Sequence, residues 1–240
     1  MPLSATRVLL HPPKRYVLSF DGENDYIEVA DDPSLRLESF TLMAWFYRTR
    51  EGYYERIIAR DDPGFTNYIL QVIADGRVQI GFHTEEGENI FTNSFSTIPL
   101  NTWACLAGTW DNDSKIQSVY VNGNLDRSLE KPGKSPNIRV GPPTRIGRYG
   151  DFYGAGLVAF ALIYNRALSA TEIRHNYLNP MSPVTDGLVL WLKMEEGSGT
   201  TVHDYSGYGN DGTIYGATWK EITHDPVRTL SPVRVLSNVR

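Results

Sequence analysis

The feature that most constrains this chain is how short its apolar runs are, and how regularly turn residues end them. Tyr16–Phe20, Tyr26–Val29, Thr41–Tyr47, Arg56–Ala59, Tyr68–Ile73 and Arg77–Phe82 come first. Trp103–Trp110, Ser118–Asn122, Thr144–Gly147, Gly156–Tyr164 and Leu188–Leu192 follow. They are rich in Val, Ile, Tyr, Phe and Trp, which suit a pleated, half-buried surface. Between them stand Asp21-Gly22, Asp75-Gly76, Glu86-Gly87, Asn122-Gly123 and Pro132-Gly133. In such dipeptides glycine enters the positive-φ region at little cost. Runs this short and closely spaced predict an all-β sandwich or barrel. One helix is predicted near 169–177. Ser169-Ala170-Thr171-Glu172 is a capping box, Ile173 and Tyr177 share a face, and Asn179-Pro180 ends the pattern.

Composition removes several classes. The chain carries 23 basic and 28 acidic groups, a net charge of −5, where a dedicated nucleic-acid binder would carry a basic excess. Its apolar and aromatic content is too high for a disordered chain. No apolar run approaches the roughly 18 residues of a membrane helix. Cys105 is the single cysteine, so an internal disulfide and a cysteine-based zinc cluster are excluded, and the thiol reads as a buried one. The N-terminal stretch is no secretory signal: its apolar run, Val8–Leu10, is cut off by Pro12 and Pro13. On that reading the chain is either already processed or released by another route, such as lysis with a virus particle.

Five motifs now carry a likeness. Leu18-Ser19-Phe20-Asp21-Gly22-Glu23-Asn24-Asp25-Tyr26-Ile27-Glu28-Val29 resembles the opening of laminin-G-like domains, in the concanavalin A-like lectin/glucanase superfamily. Phe40-Thr41-Leu42-Met43-Ala44-Trp45, Trp103 through Gly108-Thr109-Trp110-Asp111, Tyr120-Val121-Asn122-Gly123 and Ile163-Tyr164-Asn165-Arg166-Ala167-Leu168-Ser169 fit the same pattern in order. The resemblance covers roughly residues 16–178 and implies a jelly-roll sandwich of two curved antiparallel sheets. Trp45 and Trp103 read as core; Trp110 opens an Asp-Asn-Asp turn and is less firmly placed.

The C-terminal part departs from the family order. Gly187–Leu192 and the turn-rich stretch from Asp204 to Gly212, with Thr213–Tyr215, look like the strands that usually come first. Here they follow the helix. The remainder is too short for a second sandwich. Three explanations stand: the segment completes its own sandwich as a circular permutation, it is donated to a neighbouring subunit, or it is a partial repeat packed outside. The expected organisation is an arm at 1–15, a jelly-roll domain at 16–219 with 187–215 supplying the displaced strands, and an extended arm at 220–240.

Candidate chemistry is sparse. The superfamily's glucanases use a Glu-x-Asp-x-x-Glu strand whose carboxylates share one cleft. That spacing is missing, and Glu85-Glu86-Gly87-Glu88 and Glu195-Glu196-Gly197 read as solvated turns. No catalytic residue is expected, nor any cofactor. Relatives often hold a structural calcium through a carboxylate at the position of Ala159; an apolar strand there offers no oxygen ligand, so the usual site is not expected. Asp111-Asn112-Asp113, and Asp204 with Asn210 and Asp211, read as residues capping their own turns. His83 and His203 read as strand-edge or loop residues. Loop aromatics remain, since the core does not need them. Tyr53, Tyr54, Phe65, Tyr149 and Tyr153, with Asp151, are the candidate ligand-binding residues.

Two functions fit. One is a non-catalytic surface or assembly protein, such as a virion protein, whose Pro-containing termini grip neighbouring subunits. The N-terminal arm is basic, with Arg7, Lys14 and Arg15. The other is a lectin module that binds glycan. The expected place is a virion surface or the extracellular space, in an oligomer or larger assembly, without nucleic acid or membrane insertion.

Overall fold

Alternation along the strands decides how the layers form. The computed structural model describes residues 15–222, so all but residue 15 of the expected arm at 1–15, and residues 223–240 of the expected arm at 220–240, lie outside the described residues. In chain order the strands are β1 (Arg15–Asp21), β2 (Tyr26–Val29), β3 (Phe40–Tyr47), β4 (Glu55–Asp62), β5 (Phe65–Val72), β6 (Arg77–His83), β7 (Asn89–Thr97), β8 (Trp103–Asp111) and β9 (Ile116–Val121). Then come β10 (Asn124–Glu130), β11 (Thr144–Ile146), β12 (Arg148–Tyr149), β13 (Phe152–Tyr153), β14 (Ala155–Tyr164) and the helix α1 (Ala170–Leu178). Strands β15 (Leu188–Leu192), β16 (Thr201–Val202), β17 (Gly212–Tyr215) and β18 (Thr218–Ile222) complete them.

Two large antiparallel sheets result, an all-β sandwich as the run lengths predict. The first runs β10-β9-β8-β3-β14-β1-β18, with β15 also paired to β14; the second runs β16-β17-β2-β11-β4-β5-β6-β7. Strand β3 shows why the sheets stack. Phe40, Leu42, Ala44 and Phe46 point into the core between the sheets, while Met43 and Trp45 point to the outer face of the first sheet. A period-2 strand with apolar residues on both faces must be covered twice. The helix supplies part of the outer cover: Ile173 and Tyr177 join Met43, Trp45, Cys105 and Phe160 in a second cluster. Its capping box forms with both expected bonds, and Asn176, fully buried, donates to the Tyr164 hydroxyl at 2.9 Å and accepts from the Val184 amide at 2.8 Å.

The displaced segment lies on its own chain's sheets. Leu190 of β15 pairs with Ile163, Ile214 of β17 with Ile27, and Trp219 of β18 with Leu18. Strand β18 runs through Lys220–Ile222, residues the sequence reading placed in the C-terminal arm; they are extended because β1 offers them a free edge. Strands β7 and β10 were not among the expected runs. Both are polar edge strands, so an apolar signal could not mark them. Trp103 is only half-buried, packed at 5.5 Å on Tyr47, whereas Trp110 is fully buried and sits 4.7 Å from Phe82. Register explains the exchange: Trp110 lies opposite Phe40, on the inward face.

Candidate functional site

The second sheet keeps one face away from the core, and strands β4 to β7 build a groove on it. On β6, Val78, Ile80 and Phe82 enter the core, so Gln79, Gly81 and His83 must face outward. The same alternation turns Ile69 and Gln71 outward on β5, and Phe91 and Asn93 on β7. Cross-strand register then aligns a polar row: Arg56 opposite Gln71, Gln71 opposite Gln79, Gln79 opposite Asn93. The row is hydrogen-bonded throughout. The Arg56 Nη1 donates to Gln71 Oε1, Gln71 Nε2 to Gln79 Oε1, and Gln79 Nε2 to Asn93 Oδ1 at 2.7 Å.

Aromatic rings stand beside this row. Ile69, Gly81 and Phe91 lie opposite one another. A Cβ on Gly81 would come within 1.8 Å of the Phe91 ring, so this glycine is what lets the phenyl face lie across the sheet. Tyr54 and Tyr149 form the opposite wall, and the Arg56 guanidinium lies 4.9 Å and 5.2 Å from their ring centres. The groove is open to solvent and measures about 410 Å³; Arg56, Gln71, Gln79, Phe91, Tyr54 and Tyr149 line it with Ile69, His83 and Asn89. Burial lowers the His83 pKa, which favours the neutral ring at pH 7, and burial likewise lowers that of Arg56.

The Tyr149 wall is held in place. Its hydroxyl lies 3.0 Å from Thr66 Oγ1, and the Gly150 amide donates to Asp61 Oδ2 at 2.7 Å. Burial raises the Asp61 pKa, against that amide and the Arg145 and Arg148 charges. Gly154 lets the loop close down: a Cβ there would meet the Arg56 carbonyl oxygen at 2.5 Å.

The six residues expected from sequence divide. Tyr54 and Tyr149 line the groove. Tyr153 lies outside it, 6.2 Å from Tyr26, which stacks on Tyr215 at 4.7 Å. Tyr53 covers Arg50 at 4.4 Å, beside the Arg50–Glu55 ion pair. The Asp151 side chain is fully exposed, 3.8 Å from Arg148. Phe65 is a correction: it begins β5 rather than ending a loop, and it is 1% exposed, with Arg139 4.9 Å from its ring. Arg56, Gln71, Gln79, Asn89 and Phe91 were missed because they sit on strands, and His83 lines the groove where the sequence suggested a bare strand edge. A signal existed. Gln71 and Gln79 flank the Asp75-Gly76 turn symmetrically, so a hairpin puts them side by side.

Among the described residues no three His, Cys, Asp or Glu groups gather as a metal site needs. Ala159 is buried in the outer cluster. Asp111 accepts from the Asp113 amide and the Ser114 hydroxyl, and Asp204 accepts from the Trp191, Ser206 and Asn210 amides, so both cap their own turns and neighbours. Among the described residues no helix is long and apolar enough to cross a membrane.

Known proteins share this architecture. A Bacteroides ovatus protein proposed to bind carbohydrate superposes with a TM-score of 0.67 at 18% identity, over 87% of this chain and 60% of that one. This chain thus spans only 60% of that protein's length. The SAP-like pentraxin of Limulus polyphemus gives 0.55 at 17% identity, over 68% of this chain and 82% of its own. The CBM40 of Ruminococcus gnavus IT-sialidase, solved with α2,3-sialyllactose, gives 0.52 at 15% identity, over 62% and 92%. At such identities the likeness is one of fold. No curated protein matches the sequence. The laminin G-type family model described as "Concanavalin A-like lectin/glucanases superfamily" matches residues 21–174. From the Asp21-Gly22 turn to the capped helix, this chain belongs to the laminin G-type branch of the concanavalin A-like lectin/glucanase superfamily.

Proposed function

We propose that this chain is a non-catalytic, lectin-like recognition module that takes a glycan in the groove on β4 to β7. The observation that carries the reading is the convergence there of ring faces with a hydrogen-bonding row. Phe91, Tyr54 and Tyr149 offer apolar surface to the C–H face of a sugar, and Gln71, Gln79, Asn89 and Asn93 offer donors and acceptors to its hydroxyls. The walls are held before a ligand arrives, which lowers the ordering cost of binding. Among the described residues no Asp or Glu lines the groove. Glycoside hydrolysis in most families needs two carboxyl groups flanking the bond, so the groove is suited to holding a sugar rather than cleaving it. Such a module works outside the cell or on a surface. The carbohydrate-binding neighbours in fold agree with this reading.

The experiment is binding of the full-length chain to a broad glycan array, repeated with Phe91→Ala and Tyr149→Ala. Each substitution is expected to weaken binding about tenfold while leaving thermal unfolding cooperative. An array without saturable binding, or binding indifferent to both substitutions, would overturn the proposal.

The second reading is assembly, as a virion or other surface structural protein. It is favoured by one observation: Arg15 pairs with Ile222, so the chain enters and leaves the described fold at adjacent points on one sheet edge. Both arms then start from the same place. The full-length chain is expected to sediment as an oligomer, and a chain of residues 15–222 as a monomer. Equal sedimentation of the two would remove this reading.

A further inference from the structure

Among the described residues, the cation of the groove, Arg56, forms no ion pair. On the same strand, Arg60 pairs with Asp31 at 2.7 Å, and nearby Arg145 pairs with Glu28 at 3.0 Å. Arg56 is half-buried and is bonded to a neutral glutamine instead. Its Nε is buried without any hydrogen-bond partner. The carboxylates nearest in sequence are engaged elsewhere: Glu55 with Arg50 and the Ala155 amide, Asp61 with the Gly150 amide and Arg145. Rings surround the guanidinium, with Tyr54, Tyr149 and Phe152 centred 4.9, 5.2 and 5.4 Å away. They partly offset the charge, yet they cannot accept its in-plane N–H bonds. A guanidinium without a carboxylate partner can take an anionic oxygen in a charge-assisted hydrogen bond.

We propose that the groove selects acidic glycans, with a carboxylate or sulfate of the sugar held on Arg56 while its ring stacks on the aromatic walls. This rests on the glycan reading above and deepens it. Charge complementarity sets the class: among the described residues no acidic side chain lines the groove to repel an anion, and the neutral amides of Gln71 and Gln79 continue the row for the hydroxyls that follow. The neutral His83 ring adds no competing charge.

The test uses the full-length chain on an array holding neutral, carboxylated and sulfated glycans in matched backbones, with Arg56→Gln and Arg56→Lys. Acidic glycans are expected to bind preferentially. Arg56→Gln is expected to weaken them by about thirtyfold or more, since the buried partner of a charge pair is lost. Arg56→Lys keeps the charge and loses the fork, so it should fall between the two. The carboxylated and sulfated arms separate the two anion sources. If Arg56→Gln does not unfold cooperatively, Arg56→Lys carries the measurement, and a loss of about fivefold or more is then required. Neutral glycans binding as well as acidic ones, or acidic binding that survives the variant, overturns acid selection and leaves the glycan reading standing. An array without any binding overturns both.

Discussion

Phe65 and Phe91 are the same side chain on β5 and β7, the strands either side of β6, with opposite roles. Phe65 is buried at the start of β5, whereas Phe91 is half-buried across Gly81 on the groove. Composition cannot separate them, because register and neighbouring side chains decide which ring is covered. Phe65→Ala should therefore act on stability. Removing a buried phenyl costs about 3–5 kcal/mol in lost transfer energy and cavity formation. In a chain of this size that lowers the melting temperature by roughly 10 °C. Calorimetry of the variant checks it, and an unchanged melting temperature would contradict the burial. Glycan binding below the new transition should persist, since Phe65 does not line the groove. Arg56 is the residue whose meaning was least visible in sequence. An arginine on an apolar strand reads as a surface charge until the absence of a partnering carboxylate is seen in three dimensions.

Among elements, the helix was the most legible. Ser169 and Glu172 lie three residues apart, and both capping bonds form because the box is a local geometry. Tertiary structure adds Arg166, whose guanidinium, first among the causes, holds the Glu172 carboxyl down at about 2, helped by the Ser169 amide and hydroxyl. The sign follows from the depressed value. The ionised carboxylate stabilises the folded state above its ordinary pKa of 4.5, and that contribution is lost as pH falls towards 2. The group is partly exposed, so after solvent screening it amounts to about 1 kcal/mol. Glu172→Gln is expected to melt lower than the parent at pH 7, and the gap should close near pH 2; parallel melting curves at both values decide it. The polar edge strands β7 and β10 were the least legible elements. Each is held by a neighbour rather than by its own apolar pattern, and the Asp126 carboxylate of β10 ties to the Ser96 amide of β7 at 3.2 Å.

At the scale of the molecule, the displaced segment tests how the sandwich is completed. Val189, Leu190, Leu192 and Met194 are fully buried, and all four belong to the core between the sheets. Burying each contributes about 1.5–3 kcal/mol. Their sum is comparable to the whole stability of an ordinary domain, about 5–15 kcal/mol. A chain ending at Asn179 should therefore lose cooperative unfolding and aggregate, which circular dichroism and gel filtration would show directly. A soluble, cooperatively melting product would mean that the segment is dispensable, as an external repeat would be.

Run lengths, glycine turns, the capping box and the five family motifs by themselves determine an antiparallel sandwich with one short helix. These signals are local: a dipeptide adopts its turn, and a period-2 run chooses strand, wherever it sits in the chain. The sequence by itself also excluded the glucanase triad, because that triad lies on one strand at a set spacing. The groove belongs to the tertiary structure. Its polar row draws one residue from each of four strands, and one wall joins Tyr54, just before β4, with Tyr149 of β12, nearly a hundred residues further on. Cross-strand register is set by the pairing of whole strands and by which face meets the core. No single stretch of sequence encodes which glutamine will stand next to which arginine.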